Sequence, residues 1–300
     1  MDRFESMTVL LAAVETGSLS AAGRKLGMPL ATVSRKVSEL EAHLKARLLS
    51  RSTRQLTLTD AGRDYVIACK RILEDMSEAE RAASGEYSAP RGELVISAPI
   101  VFGRLHVLPV VTEFLKAYPE VDVRLVLGDR IVNLMEDEVD LAVRIGELPD
   151  SSLIATRVGT IRHVVCGSPA YFAEYGAPKS PSELSAHRCI TFTALMSPNA
   201  WTFDVNGASV SVPVRPRLTV NTAEAAIDAA VSGVGMTRVL SYQIEGAKRA
   251  GLLHLALEEF GPAPLPVSLL YTGQGRLPQK LRAFLDFATP RLREQIGAAA

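Results

Sequence analysis

Three hundred residues carry 33 Lys and Arg against 33 Asp and Glu, with 47% apolar side chains and no low-complexity tract. That length exceeds one ordinary core and fits two or three domains of a soluble globular protein. Zero net charge excludes a nonspecific polycation but conceals a local imbalance. Arg24 to Arg54 holds eight Lys or Arg and only Glu39 and Glu41 as acids, whereas Asp60 to Arg81 has six acids and four bases. A basic patch confined to one short stretch is the electrostatic footprint of a nucleic-acid contact. Asp2, Arg3, Glu5 and Glu15 interrupt the N-terminus, so no secretory leader is expected, and no apolar run is long enough to span a membrane. The three cysteines, Cys69, Cys166 and Cys189, form no CxxC pair and read as reduced thiols of a cytoplasmic chain. Cys166 and Cys189 are either buried structural residues or a redox pair.

Phe4, Met7, Leu10, Leu11 and Val14 recur at helical spacing and predict a first helix from about Asp2 to Thr16. Gly17 ends it, and Ser18 is placed to cap a second helix. Ala21 and Ala22 let neighbouring helices approach closely, and Gly27 breaks this second helix. Pro29 suits the first turn of a third, where its missing N–H would have no partner anyway. In the third helix Val33, Val37, Leu40 and Leu44 form the inward stripe. Ala31, Thr32, Arg35, Ser38 and Glu39 project away from it, with Ser34 and Lys36 on the flanks. Ser18 to Val37 is therefore a helix–turn–helix, a unit that lays its second helix in the major groove of duplex DNA.

Leu48 to Thr59 alternates as a short hairpin does, with Leu56 and Leu58 inward and Arg51 and Arg54 near the turn, which makes a wing. Thr59 caps a long helix from Asp60 to about Ala83. Tyr65, Cys69, Ile72, Met76, Ala79 and Ala83 alternate spacings of four and three along it, the seam of a two-helix coiled coil. The alternative is a helix docked on its own chain. Ser84 to Pro90 is a small-residue connector. Beyond it, buried strands at 93–97, 121–128, 140–146, 163–168 and 266–272 alternate with helices around Phe102–Tyr118, Ile131–Glu136, Thr222–Val231, Tyr242–Ala250 and Pro278–Leu292. That alternation predicts an α/β domain with a largely parallel sheet. Shorter strands between about 163 and 265 divide it into two lobes around a cleft. The expected layout is 1–59 for an all-α winged helix–turn–helix, 60–90 for the linker helix and hinge, and 91–300 for the α/β domain. Its lobe I takes about 91–162 and 267–300, and its lobe II about 163–266.

The start MDRFESM…VETGSLSAAGRKLG, the helix TVSRKVSELEAHL, the wing LLSRSTRQLTLT and the TDAG that opens the linker resemble the LysR-type transcriptional regulators. SAPIVFGRLHVLPVVTEFLKAYPEVDVRLVLGDR and DLAVRIGELPDSSLIATR are similar to that family's effector domain, so the resemblance covers essentially the whole chain. It implies a winged helix–turn–helix, a dimerising linker helix and a two-lobed periplasmic-binding-protein-like (type II) effector domain. It also implies tetramers on two DNA regions that change bending, or access for RNA polymerase, when a small metabolite binds. One position departs: where many members carry Gln ahead of the recognition helix, this chain has Leu30.

The candidate DNA-binding residues are Ala31, Thr32, Ser34, Arg35 and Lys36, with Arg51 and Arg54 in the wing. Arg35 can pair bidentately with guanine, or with Glu39 one turn on. Thr32 offers a methyl and a hydroxyl, Ser34 suits a phosphate, and Ala31 permits close approach. No GxSxG elbow, phosphate loop or HExxH helix occurs, and His43, His106, His163, His187 and His254 lack metal-ligand spacing. No catalytic residue, metal or cofactor is expected. A regulator is favoured over an enzyme or solute-binding protein whose N-terminal helices merely mediate assembly. In the second domain Ser97, Ala98, Pro99 and Ile100 lead into a helix, Asn221 and Thr222 into another, and two such N-termini facing one cleft suit an anion or carboxylate. The same residues serve equally as plain caps. By resemblance they line an effector pocket together with Arg144 and Gly146. Thr160–His163 and Pro266–Val267 are the expected crossovers between lobes.

Overall fold

The computed structural model describes residues 2–50, 56–83, 89–130, 132–134, 136–148, 152–193, 199–273 and 277–298. They fall into two compact units, Met1–Ala89 and Pro90–Ala300.

In the first unit α1 (Arg3–Thr16), α2 (Leu19–Leu26) and α3 (Leu30–Leu44) stand where helical spacing puts them. Asp2 caps α1 by accepting from the N–H groups of Phe4 (3.0 Å) and Glu5 (3.2 Å), and Ser18 caps α2 through Ala21 (3.5 Å). Gly27 closes α2 at φ 65°, a left-handed conformation that favours glycine. Pro29 lies one position earlier than expected, as the N-cap of α3, where its carbonyl accepts from Thr32 and Val33. Val9, Leu10, Ala13, Ala22, Val33, Val37 and Leu40 make the core of the unit. Among the described residues of the wing, β1 (Leu49–Ser50) pairs with β2 (Thr57–Leu58), and Leu56 and Leu58 pack inward as the alternation predicts.

Thr59 caps α4 (Asp60–Ala83) by accepting from Gly62 N–H at 3.0 Å, while its own hydroxyl donates to the Arg47 carbonyl at 2.6 Å. Tyr65 and Val66 pack on the core beneath, and Cys69 is fully buried. The first turns of α4 thus dock on their own chain, which corrects a seam drawn from Tyr65. Farther on, Ile72 stands 38% exposed.

The second unit has two five-stranded sheets. Its elements run β3 (Gly92–Ala98), α5 (Ile100–Phe102), a π-turn at Gly103–Val107, α6 (Leu108–Ala117), β4 (Val121–Leu127), β5 (Leu141–Ile145) and β6 (Leu153–Ile161). There follow β7 (His163–Gly167), α7 (Pro169–Tyr175), β8 (Cys189–Phe192), β9 (Ala200–Val205), β10 (Ala208–Pro213), β11 (Pro216–Val220), α8 (Ala223–Val231) and β12 (Met236–Leu240). The last are α9 (Glu245–Arg249), β13 (His254–Ala256), β14 (Leu265–Thr272) and α10 (Gln279–Ala298). Lobe I orders its strands β4-β3-β5-β14-β6, and lobe II orders them β11-β8-β12-β7-β13.

Both sheets are mixed rather than largely parallel. In lobe I, β14 runs antiparallel to both neighbours because it re-enters from lobe II. The outward crossing is Arg162 alone, between β6 and β7. On the return, Pro266 and Val267 already belong to β14, paired with Thr160 and Gly159, so lobe I resumes at Leu265. Ile131–Glu136 supplies no helix among its described residues. Asp137 instead accepts from Asn133 N–H at 2.9 Å and holds a tight turn. Lobe I closes on Phe102, Phe114, Leu141, Val267, Leu269, Phe284 and Leu292. Lobe II packs one sheet face on α8 and the other around Tyr171, Trp201 and Met236.

One close approach joins the wing to the linker. A Cβ on Gly62 would stand 2.0 Å from the Leu48 carbonyl oxygen, a backbone atom. Gly62→Ala is therefore expected to cost about 1–3 kcal/mol by overpacking, read as a lower urea midpoint for the first unit. An unchanged midpoint would show that the junction is slack.

Candidate nucleic-acid interface and effector cleft

Helix α3 is held by one face. Val33 and Leu40 are fully buried and Val37 nearly so, which fixes its rotation and turns Leu30, Ala31, Ser34, Arg35 and Ser38 outward. Thr32 is half-buried at the edge of that face. The Arg35 side chain is 63% exposed and donates to Glu39 at 2.7 Å. Such an exposed i,i+4 pair is worth only about 0.3–0.5 kcal/mol, so the guanidinium exchanges Glu39 for another acceptor at little cost.

Lys36 is differently placed. Its side chain is 14% exposed and pairs with Glu5 of α1, tying the two helices together. Leu30, noted above only as a departure, is 52% exposed on the first turn. Arg51 and Arg54 lie outside the described residues.

In the second unit the strand ends and helix starts of the two lobes meet. Ser97 and Ala98 are buried at the end of β3, and Pro99 caps α5. The first free N–H there is already used, because Ile100 donates to Asp129 Oδ1 at 3.1 Å. Thr222 caps α8 and accepts from Ala225 N–H at 3.3 Å, while Asn221 is exposed. Arg104, in the π-turn that follows α5 of lobe I, and Glu224, in the first turn of α8 of lobe II, form an ion pair of 2.9 Å that brings the two helix starts together. Arg144 spends its guanidinium on the carbonyls of Arg130 (3.2 Å) and Val132 (3.5 Å), and Gly146 N–H donates to Pro266 O at 2.9 Å. The two predicted helix starts thus approach each other across the lobes, but acids of the chain itself occupy the N-terminus of α5 and the first turn of α8. Asp129 and the Arg104–Glu224 pair gave no local signal, since the latter joins residues 120 positions apart.

The hinge side is aromatic. Tyr242 packs its ring on Phe102 (centroids 5.4 Å apart) and His106 (5.5 Å), and Ser241 N–H donates to the Arg162 carbonyl at 2.9 Å. Next to Arg162, burial and the Arg238 charge pull the His163 imidazole down to about 4. Arg238 on β12 is only 6% exposed, and burial lowers its guanidinium to about 10, still cationic at neutral pH. Burial pushes the thiols of Cys166 and Cys189 up to about 12. They lie in clusters on opposite faces of the lobe II sheet, which removes the redox pair. Among the described residues no group of His, Cys, Asp and Glu is arranged to hold a metal ion, and no helix is long and apolar enough to cross a membrane.

Two family models match the chain. Residues 4–63 match the bacterial regulatory helix-turn-helix protein, lysR family, and residues 88–293 match the LysR substrate binding domain. An HTH-type transcriptional regulator of Xanthomonas campestris pv. campestris is 35% identical over 288 residues, spanning 95% of this chain and 84% of that protein. The solved structure of CrgA, a LysR-type transcriptional regulator from Neisseria meningitidis, is 33% identical, covers 98% of each chain and superposes with a TM-score of 0.62. The full-length Vibrio cholerae virulence activator AphB is 27% identical, covering 95% of this chain and 98% of that one at a TM-score of 0.61.

His163 carries a pH signature. Its imidazole sits at about 4 when folded against 6.5 ordinarily, so between those values the unfolded chain binds the extra proton. Stability contributed by this group is present above pH 6.5 and is lost as pH falls toward 4, by about 2–3 kcal/mol. Urea midpoints at pH 7 and pH 5 should therefore fall less for His163→Gln than for the natural chain. An equal fall in both would assign the acid sensitivity elsewhere.

Proposed function

The chain belongs to the LysR family of transcriptional regulators, proteins that are not enzymes, and we propose that it reads promoter DNA with α3 as a dimer joined through α4. The single observation behind this reading is the exposed face of α3, turned outward by the burial of Val33, Val37 and Leu40. In the proposed complex Arg35 leaves Glu39 for a guanine edge or the adjacent phosphate, and Thr32 meets a thymine methyl or a phosphate. Ala31 allows backbone approach, and Ser34 bonds a phosphate. Arg51 and Arg54 hold the flanking backbone or minor groove, and Lys36 keeps α3 seated while adding positive charge beside the groove. Base-edge contacts carry sequence preference, and phosphate contacts carry register and salt dependence.

Ile72 is the exposed apolar residue we assign to the dimer seam, and two dimers make the proposed tetramer. Two half-sites in imperfect inverted symmetry then follow from the dimer axis. The partners are double-stranded promoter DNA, further copies of the chain and a small-molecule effector, with RNA polymerase as the downstream contact. The setting is the cytoplasm. The proposed effector is a small organic anion, a carboxylate above all, bound where the helix starts of the two lobes meet. Its binding shifts lobe closure, and thereby DNA affinity or bending, to the extent that it favours one arrangement over the other.

Arg35→Ala should weaken binding to the operator by about 1–3 kcal/mol and relax preference at one base pair, read by gel shift against systematically substituted promoter fragments. Operator binding as tight as that of the natural chain would remove α3 from the groove. Ile72→Glu should turn dimers into monomers in sedimentation at micromolar concentration; an unaltered sedimentation profile would place the seam on another surface.

A further inference from the structure

The outward face of α3 begins with a leucine. Leu30 is 52% exposed, more than any other large apolar side chain among the described residues. A lone exposed leucine needs no explanation in itself. Its neighbours show that a core was within reach, because Leu26 and Met28 just before it pack on the core of the first unit and Leu30 does not. The backbone here is nonetheless closely held. Pro29 fixes the entry to the helix, Val33 is fully buried, and α2 comes so near that a Cβ on Gly23 would stand 2.7 Å from the Met28 carbonyl oxygen.

Placement gives the exposure a meaning. A helix–turn–helix sets the N-terminal residues of its second helix against base edges, and Leu30 is the first residue of α3. Ala31, Ser34 and Arg35 are exposed with it over the first two turns. Ser34 lies one turn beyond Leu30 on the same side, and Arg35 lies about 7 Å farther along the helix. Among these small or hydrogen-bonding groups stands an isobutyl group with neither donor nor acceptor. Of the four bases only thymine carries a methyl on its major-groove edge, and the others offer hydrogen-bonding groups there. A leucine pressed on guanine N7 and O6, or on a cytosine amino group, strips their water without returning a hydrogen bond. Against a thymine methyl it removes apolar surface from water on both sides.

We propose that Leu30 is a specificity-determining residue that seats on the C5-methyl of a thymine in each half-site. This rests on the reading of α3 as the helix that enters the major groove, and it adds the base recognised at the leading end of that helix. Selection works in two directions: apolar contact favours thymine, and desolvation without a partner disfavours guanine or cytosine. With its backbone held by Pro29 and by the close approach at Gly23, the side chain meets the groove with only its own rotamers to settle. Arg35 then reads a neighbouring base pair of the same half-site, so two side chains select nearby positions by unlike chemistry.

The test uses the full-length chain and duplexes of its own promoter in which single thymines are replaced by uracil, a change that removes only the C5-methyl. One such replacement in a half-site should weaken binding in gel shifts about fourfold, the value of one methyl-sized group withdrawn from contact. Leu30→Gln should bind the thymine and uracil duplexes equally at that position, whereas Thr32→Ser should keep the ratio there. Both duplexes meet the same protein sample, so the ratio does not register a loss of folding or of general affinity. A uracil penalty that persists in Leu30→Gln overturns the assignment, and its disappearance in Thr32→Ser gives the methyl contact to Thr32 instead. A natural chain that prefers its promoter over a scrambled duplex yet ignores every uracil also overturns it, while leaving the regulator reading in place. Failure to prefer the promoter at all overturns the groove reading and the leucine contact together.

Discussion

The rotational setting of α3 depends on three valine and leucine side chains. Val33, Val37 and Leu40 sink into a core made by α1 and α2, each full burial contributing about 1.5–3 kcal/mol. A helix seated that firmly on one side has its opposite side specified as well. Arg35 and Ser34 are exposed because they lie opposite the buried stripe, and the Glu5–Lys36 pair pins the helix against turning about its axis. Rigid seating matters for what α3 presents, since an error of a single residue in rotation would exchange solvent-facing groups for core-facing ones.

The interlobe region follows a different electrostatic logic. Its helix starts are neutralised from within, by Asp129 at Ile100 and by Glu224 beside Thr222, so the fold is self-sufficient there without a ligand.

Much of this was legible in the residues. The helix–turn–helix reads directly because caps and apolar stripes act within a few positions: Asp2, Ser18, Gly27 and Thr59 each stand where local chemistry demands. Four of the five lobe I strands, β3, β4, β5 and β14, are visible as apolar runs, while β6 at the sheet edge is not. In lobe II β7 is visible, but β8, β12 and β13 are too short to show a period and owe their existence to partners far along the chain. A helix is expected around Ile131–Glu136, yet among the described residues the Asp137 carboxylate captures the Asn133 N–H and a turn wins. Tyr65 and Cys69 obey coiled-coil spacing and still face their own core, since a period cannot say which of two apolar surfaces a helix will meet. Lys36, a candidate DNA contact by its place on α3, also pairs with Glu5 thirty-one residues away, a partner that no local pattern signals.

The placement of β14 between β5 and β6 bears on how the chain assembles. Lobe I cannot complete its sheet until Leu265–Thr272 has left the ribosome, because both flanking strands hydrogen-bond to that late segment. All of lobe II is synthesised in the interval, and pairings this distant in sequence form slowly. The N-terminal unit needs none of those residues, so a nascent chain holds a folded DNA reader long before it holds a sensor, with strand edges of lobe I exposed to aggregation in the meantime.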